Sequence, residues 1–223
     1  MVHRALGTKI VLTVYGDEYF PLLSQAMKMI DGYEDRLTVN RPVSEVMAVN
    51  QAAGRTPKLV SPTTYELVKL AVHYSRENFG FNALIGPLVK LWKIGFAGAN
   101  VPSDQAIKDR LRLIDPYQVL LDDDNRTVYL EQPGMELDLG GIAKGYIADR
   151  VRDFWLAQGV PAGIINLGGN LVFVGQSPRR ADGQWIIGVQ DPQLKRGHDL
   201  ETVRQPACSA VTSGIYERFL VKD

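Results

Sequence analysis

The sequence first offers chemistry in the segment Leu137-Asp138-Leu139-Gly140-Gly141-Ile142-Ala143-Lys144-Gly145-Tyr146. It reads as a strand that turns into a helix through a pair of glycines. With no side chains at the turn, the backbone can approach a ligand closely, and the N–H groups and positive dipole end of the following helix suit a phosphate. Asp138 and Lys144 bracket the turn with opposite charges. The glycine spacing fits neither a Walker loop nor a Gly-x-Gly-x-x-Gly fingerprint. A tight strand-helix turn closed by a salt bridge would give the same pattern, so the residues alone leave anion binding and a structural turn both open.

Two further segments invite the same question. Gly168 and Gly169, flanked by Asn166 and Asn170, read as a hairpin or bulge. Ser209, Thr212 and Ser213 put hydroxyls next to Gly214, with a strand turn as the alternative. None of these identifies a nucleophile. His3, His73 and His198 lack metal-ligand spacing, and Trp92, Trp155 and Trp185 read as packing residues.

The elements that must hold these segments follow from periodicity. The opening run to Gly16 is β-prone, and Pro21 starts an amphipathic helix of roughly four turns through Tyr33. Ser44 can cap a short helix ending near Gly54, Ser61-Pro62 opens a helix that stops around Gly80, and Ser103 caps another that Pro116 ends. Residues 81–98 read as a buried connector. Residues 117–139 read as a meander with a third strand after Pro133-Gly134. A strong helix follows Gly141 and stops at Gly159, and strands are expected over Ala162 to Leu167, Asn170 to Gly175 and from Trp185. Helices and antiparallel strands in blocks give an α+β fold class rather than a Rossmann sheet.

Composition narrows the functions. The chain has 223 residues and is 45% hydrophobic, enough for one large domain or two intimately packed lobes. Lys+Arg and Asp+Glu both number 25, so no global field draws the chain to nucleic acid or an anionic membrane. Cys208, the single cysteine, can form no intrachain disulfide. The opening lacks a signal-peptide pattern, and no stretch approaches a membrane span.

Taken together, LDLGGIAKGYIAD, INLGGN and VTSGIYERF resemble, in order and spacing, the ApbE family of FAD:protein FMN transferases. Upstream, ALGT resembles the family's Met-Gly-Thr segment with Leu6 in place of Met. LTVNRPVSEVMAVN resembles its Ser-Glu-…-Asn helix, and GFNALIGPLVKLW its Ala-Phe-Asp-…-Gly-Pro-Leu segment with Asn82 in place of the acid. The resemblance covers essentially the whole chain, read as one domain over residues 1–223. It implies an ApbE-like α+β fold with mixed or antiparallel sheets flanked by helices.

The resemblance also implies a site. FAD contacts would fall on Leu6, Asn40, Gly80, Phe81, Asn82, Asp138 and Lys144, with the carbonyl of Gly141 as a magnesium ligand; Gly168, Gly169 and Ser213 would shape the pocket. The implied reaction is Mg2+-dependent transfer of FMN from FAD to a Thr or Ser hydroxyl of an acceptor flavoprotein, with release of AMP. FAD hydrolysis to FMN and AMP, or a non-catalytic FAD-binding module, are the alternatives. The family continues past this point with a His-containing motif and an acidic and hydroxyl cluster, so the side-chain magnesium ligands are expected after Asp223. By resemblance the parent protein is extracytoplasmic and membrane-anchored, with the cytoplasm still open, and a homodimer is compatible with it.

Overall fold

The computed structural model describes residues 1–95, 97–194 and 197–213. Its elements are mostly the expected ones, with five instructive departures. The opening β-prone run is not one strand but a hairpin, β1 (Val2–Ala5) and β2 (Thr8–Val14), reversing at Leu6-Gly7 with φ of 55° and 67°. Two successive left-handed residues make the tight turn that matches strand twist. Leucine gives no sequence signal for that conformation.

Helix α1 (Phe20–Leu37) has Pro21 in its first turn and runs for 18 residues, longer than expected. Helix α2 (Glu45–Gln51) is capped by Ser44, whose Oγ accepts the Met47 N–H at 2.9 Å. After β3 (Lys58–Leu59) comes α3 (Pro62–Arg76), entered through Ser61-Pro62. The expected buried connector contains a helix, α4 (Gly86–Trp92), with Pro87 in its first turn and Lys93 closing it at φ 54°. Seven residues are too few for a helical period to show. Ser103 caps α5 (Asp104–Leu111) through the Ala106 N–H at 3.3 Å.

Strands β4 (Val119–Asp122) and β5 (Thr127–Leu130) form the expected hairpin, but its third partner is β3 and not the segment after Gly134. Helix α6 (Ala143–Ala157), β6 (Ala162–Leu167) and β7 (Asn170–Gly175) follow as read. Beyond β8 (Trp185–Gln190) lies β9 (Asp199–Gln205), which the charge-rich sequence hid because every one of its residues is exposed and none alternates inward. β10 (Ser209–Val211) ends the regular structure among the described residues.

The chain divides into two compact units. Among the described residues, the first comprises Met1–Glu34 and the chain from Lys144 to Ser213; the second comprises Asp35–Ala143. In the first, an antiparallel sheet has the order β1-β2-β6-β7-β10. Its core includes Ile10, Leu12, Ile165 and Leu167, with Ile147, Val151 and Trp155 of α6, all fully buried. At Gly163 of β6 the sheet meets α6 closely: an added Cβ would sit 2.8 Å from the Trp155 ring. In a separate hairpin, β8 pairs with β9, anchored by the Trp185 Nε1–H, which donates to the Gly175 carbonyl at 2.9 Å.

The second unit places α2 to α5 around the three-stranded β3-β5-β4 sheet. Its interior includes Val46, Leu67, Val68, Ala83, Leu84, Val128 and Leu130. Residues 135–139 keep strand alternation, with Met135, Leu137 and Leu139 buried and Glu136 and Asp138 half-buried. They join no sheet ladder among the described residues. The Leu137 N–H and carbonyl and the Asp138 N–H are met instead by a side chain and a loop, described next.

Candidate functional site

In the second unit the structure brings together five of the singled-out positions, Gly80, Phe81, Asn82, Asp138 and Gly141. The Asp138 N–H donates to the Ala83 carbonyl at 2.8 Å, tying the segment before the glycine pair to the loop that carries Gly80, Phe81 and Asn82. The Asp138 carboxylate then accepts the Gly140 N–H at 2.8 Å, closing an Asx-type turn. Gly141 is exposed, and a Cβ built on it would lie 3.1 Å from the Phe81 ring. Among the described residues the Gly141 N–H meets no acceptor, so it is a free donor just ahead of α6.

Not every candidate side chain is free for a ligand. Asn82 spends both ends of its amide on the scaffold: Nδ2 donates to the Ile114 carbonyl at 2.8 Å and Oδ1 accepts the Leu84 N–H at 2.8 Å. Asparagine can do both, whereas a carboxylate can only accept. Gly80 takes φ 86° with open space where a side chain would stand. Asn40 sits apart in the exposed loop before α2, where its N–H donates to Thr38 Oγ1 at 3.2 Å and Ser44 closes the loop on the Thr38 carbonyl at 2.7 Å.

In the first unit, the Leu6-Gly7 turn, the Gly168-Gly169 turn and Thr212 gather at one end of the sheet. The pairings place Thr8 after the first turn and Leu167 before the second, and the Thr212 N–H donates to the Gly169 carbonyl at 3.3 Å. Gly168, at φ 65°, leaves no room for a Cβ, which would collide with the Thr8 side chain. Ser213 is exposed, and Gly214 onward lies outside the described residues. Lys144 stands in the first turn of α6, half-buried.

The strongly perturbed ionisable groups lie outside these motifs. Burial, and then its hydrogen bond to Asp123, push the Tyr65 phenol up to about 12. Its hydrogen bond to Arg180 holds the Asp182 carboxyl down at about 2. Among the described residues no group of His, Cys, Asp and Glu is arranged to hold a metal ion. The glycine-pair turn itself offers a backbone donor at Gly141 and a turn-shaping carboxylate at Asp138.

A profile described as the ApbE family matches residues 6–223. The chain belongs to the ApbE family. An FAD:protein FMN transferase of Klebsiella pneumoniae (strain 342) is 45% identical over 219 residues, 98% of this chain and 66% of that relative. One from Treponema pallidum (strain Nichols) is 34% identical, over 98% of this chain and 65% of its own length. The chain thus spans just under two thirds of these ApbE-family relatives. Among solved structures, the ApbE protein of Thermotoga maritima matches with a TM-score of 0.88 and 30% identity, over 100% of this chain and 72% of that one. The α+β fold is the ApbE fold, with antiparallel sheets and flanking helices.

The sequence passed over the residues that hold the site in shape. Asn50 and Ser75 are buried polar side chains bonded to backbone on either side of the Asp138 segment. A polar residue on the apolar stripe of α2, at Val46, Val49 and Asn50, was the available signal.

Proposed function

We propose that this chain forms the FAD-binding part of an FAD:protein FMN transferase. The observation that carries this reading is the 45% identity to a relative of that name across 98% of the chain. The geometry supports it through the Asp138–Gly141 turn, where an exposed glycine and a free N–H precede a 15-residue helix. Such a joint favours a diphosphate over a neutral group. Leu6, Asn40, Gly80, Phe81, Asn82, Asp138 and Lys144 are proposed to meet FAD, Asn82 through its loop backbone because its side chain is already committed.

In the proposed reaction a Thr or Ser hydroxyl of an acceptor flavoprotein forms a bond to the FMN phosphorus. The bond from that phosphorus to the AMP oxygen breaks, AMP leaves, and the hydroxyl proton is released. Positioning and charge neutralisation carry most of such a transfer. Lys144 is suited to neutralise phosphate charge, and Asp138 to hold the turn. Magnesium dependence belongs to this reading by family resemblance, with the Gly141 carbonyl as one ligand. The described residues supply no carboxylate or histidine cluster beside it. They do not by themselves fit the octahedral oxygen shell magnesium takes, and no step is assigned to the metal. Extracytoplasmic membrane anchoring and homodimerisation are likewise proposed from the resemblance.

The test is to incubate the protein with FAD, Mg2+ and an acceptor flavoprotein, then weigh the acceptor and measure AMP. Gain of one FMN per AMP released supports transfer. AMP release without acceptor modification indicates FAD hydrolysis, and neither product with FAD bound indicates a binding module.

A further inference from the structure

We infer that Asn50 is a positioning residue, whose side-chain amide stands in for a neighbouring strand and fixes the register in which Asp138 and Gly141 are presented. The inference rests on the reading of the Asp138–Gly141 turn as part of an FAD site. Residues 135–139 have the alternation of a strand but pair with no strand among the described residues. Such a segment is held to its register only by whatever pairs with its backbone, and a slip of one residue would carry Asp138 into the interior and Leu137 out. Leu137 is the residue that is pinned: its N–H donates to Asn50 Oδ1 at 2.8 Å, and its carbonyl accepts from Asn50 Nδ2 at 2.9 Å. This is the two-bond exchange of an antiparallel pair, made by one side chain 87 residues away in sequence.

Asn50 can hold that register because it is itself held. α2 places Val46 and Val49 in the core, at 0% and 2% exposure, beside Asn50 at 9%. The Glu45 carboxylate, at the start of α2, accepts both the N–H and the hydroxyl of Ser61, at 3.1 and 2.8 Å, at the entry to α3. At the far end of α3, Ser75 Oγ donates to the Ala71 carbonyl at 2.6 Å and accepts the Ala83 N–H at 2.9 Å. The Ala83 carbonyl accepts the Asp138 N–H. From Asp138 the chain steps back to Leu137 and Asn50, so the contacts close into a ring. The ring passes from α2 through α3 and the Phe81 loop to the glycine-pair turn and back to α2. Each buried polar group in it is satisfied by the next, so removing one leaves unpaired backbone on the segment that carries the site.

The experiment compares Asn50→Ala and Asn50→Asp with Val46→Ala, a cavity variant on the same helix that touches no polar partner. FAD affinity, melting temperature and amide hydrogen exchange are read for each. The expected result is a loss of FAD affinity of about tenfold or more in both Asn50 variants, with faster exchange at Asp138 and Gly140, while Val46→Ala lowers the melting temperature and leaves affinity unchanged. Asn50→Asp keeps an acceptor for the Leu137 N–H but sets a second oxygen against the Leu137 carbonyl, so a near-isosteric side chain does not restore the pairing. Equal affinities in all three proteins, or equal loss in Val46→Ala at matched melting temperature, would overturn the inference. Should the Asn50 variants fail to fold, Ser75→Ala breaks the same ring at Ala83 and is judged by the same readings. If the unaltered protein binds no FAD, the proposed function fails by itself. The exchange at Asp138 and Gly140 then decides the positioning role: acceleration confined to the Asn50 variants supports it, and unchanged exchange overturns it.

Discussion

Gly141 and Phe81 face each other across the glycine-pair turn, with space for a hydrogen on Gly141 and little more: a Cβ there would stand 3.1 Å from the Phe81 ring edge. Gly141 is exposed and has no left-handed φ, so the backbone itself accepts a side chain. Gly141→Val should fold with a melting temperature close to that of the unaltered protein, yet bind FAD far more weakly, because the added bulk occupies the close approach. Calorimetric titration with FAD alongside a thermal melt checks both. Gly168→Ala is the contrast: at φ 65° and against Thr8, it should lose at least about 1–2 kcal/mol of stability from the left-handed backbone alone.

Asn82 supplies a second prediction. Its amide donates to the Ile114 carbonyl and accepts the Leu84 N–H, and a carboxylate in its place would set two oxygens against one donor. Asn82→Asp should destabilise the protein by about 1 kcal/mol at neutral pH, the low end of the loss when a carbonyl forfeits its partner, because the contact is only part-buried. Urea unfolding measures it. A variant as stable as the original would mean that the Ile114 contact contributes nothing.

These two sites show what could be read in advance. The glycine pair was legible because a close backbone approach needs a missing side chain, and absence of a side chain is visible in sequence. The capped helices were legible through Ser44 and Ser103, whose hydroxyls bond locally to Met47 and Ala106. Asn50 was legible only as a polar residue on the apolar stripe of α2, because its partner lies 87 residues on and nothing local names it. The Leu6-Gly7 hairpin was hidden for the opposite reason: tertiary pairing imposes a left-handed φ on a leucine, against local preference.

Tyr65 gives a pH dependence whose sign is fixed by its direction. Burial, and then the 2.9 Å hydrogen bond to Asp123, raise the phenol from its ordinary 10.0 to about 12. The folded protein therefore holds the proton longer than the unfolded chain. The contribution to stability is fully present below about pH 10 and is lost as pH rises through about 12. Following tyrosinate absorbance through an alkaline titration should show one phenol ionising late, absent in Tyr65→Phe. Identical curves for the two proteins would contradict the assignment.

Lys144 carries the electrostatic side of the account. Its place in the first turn of α6 puts a cation beside a helix N-terminus, a pairing that favours a bound phosphate and is otherwise unfavourable to the helix. Lys144→Ala should weaken FAD binding by about 1.5–3 kcal/mol, the range for a charge-assisted contact. An unchanged dissociation constant would place Lys144 outside the binding surface.

The central claim is that the glycine-pair joint recognises a diphosphate. It is tested most directly by titrating the 223-residue chain with FAD and with FMN under the same conditions. The account predicts clearly tighter binding of FAD, because FMN offers the same ring and a single phosphate. Equal affinity for the two flavins would contradict it.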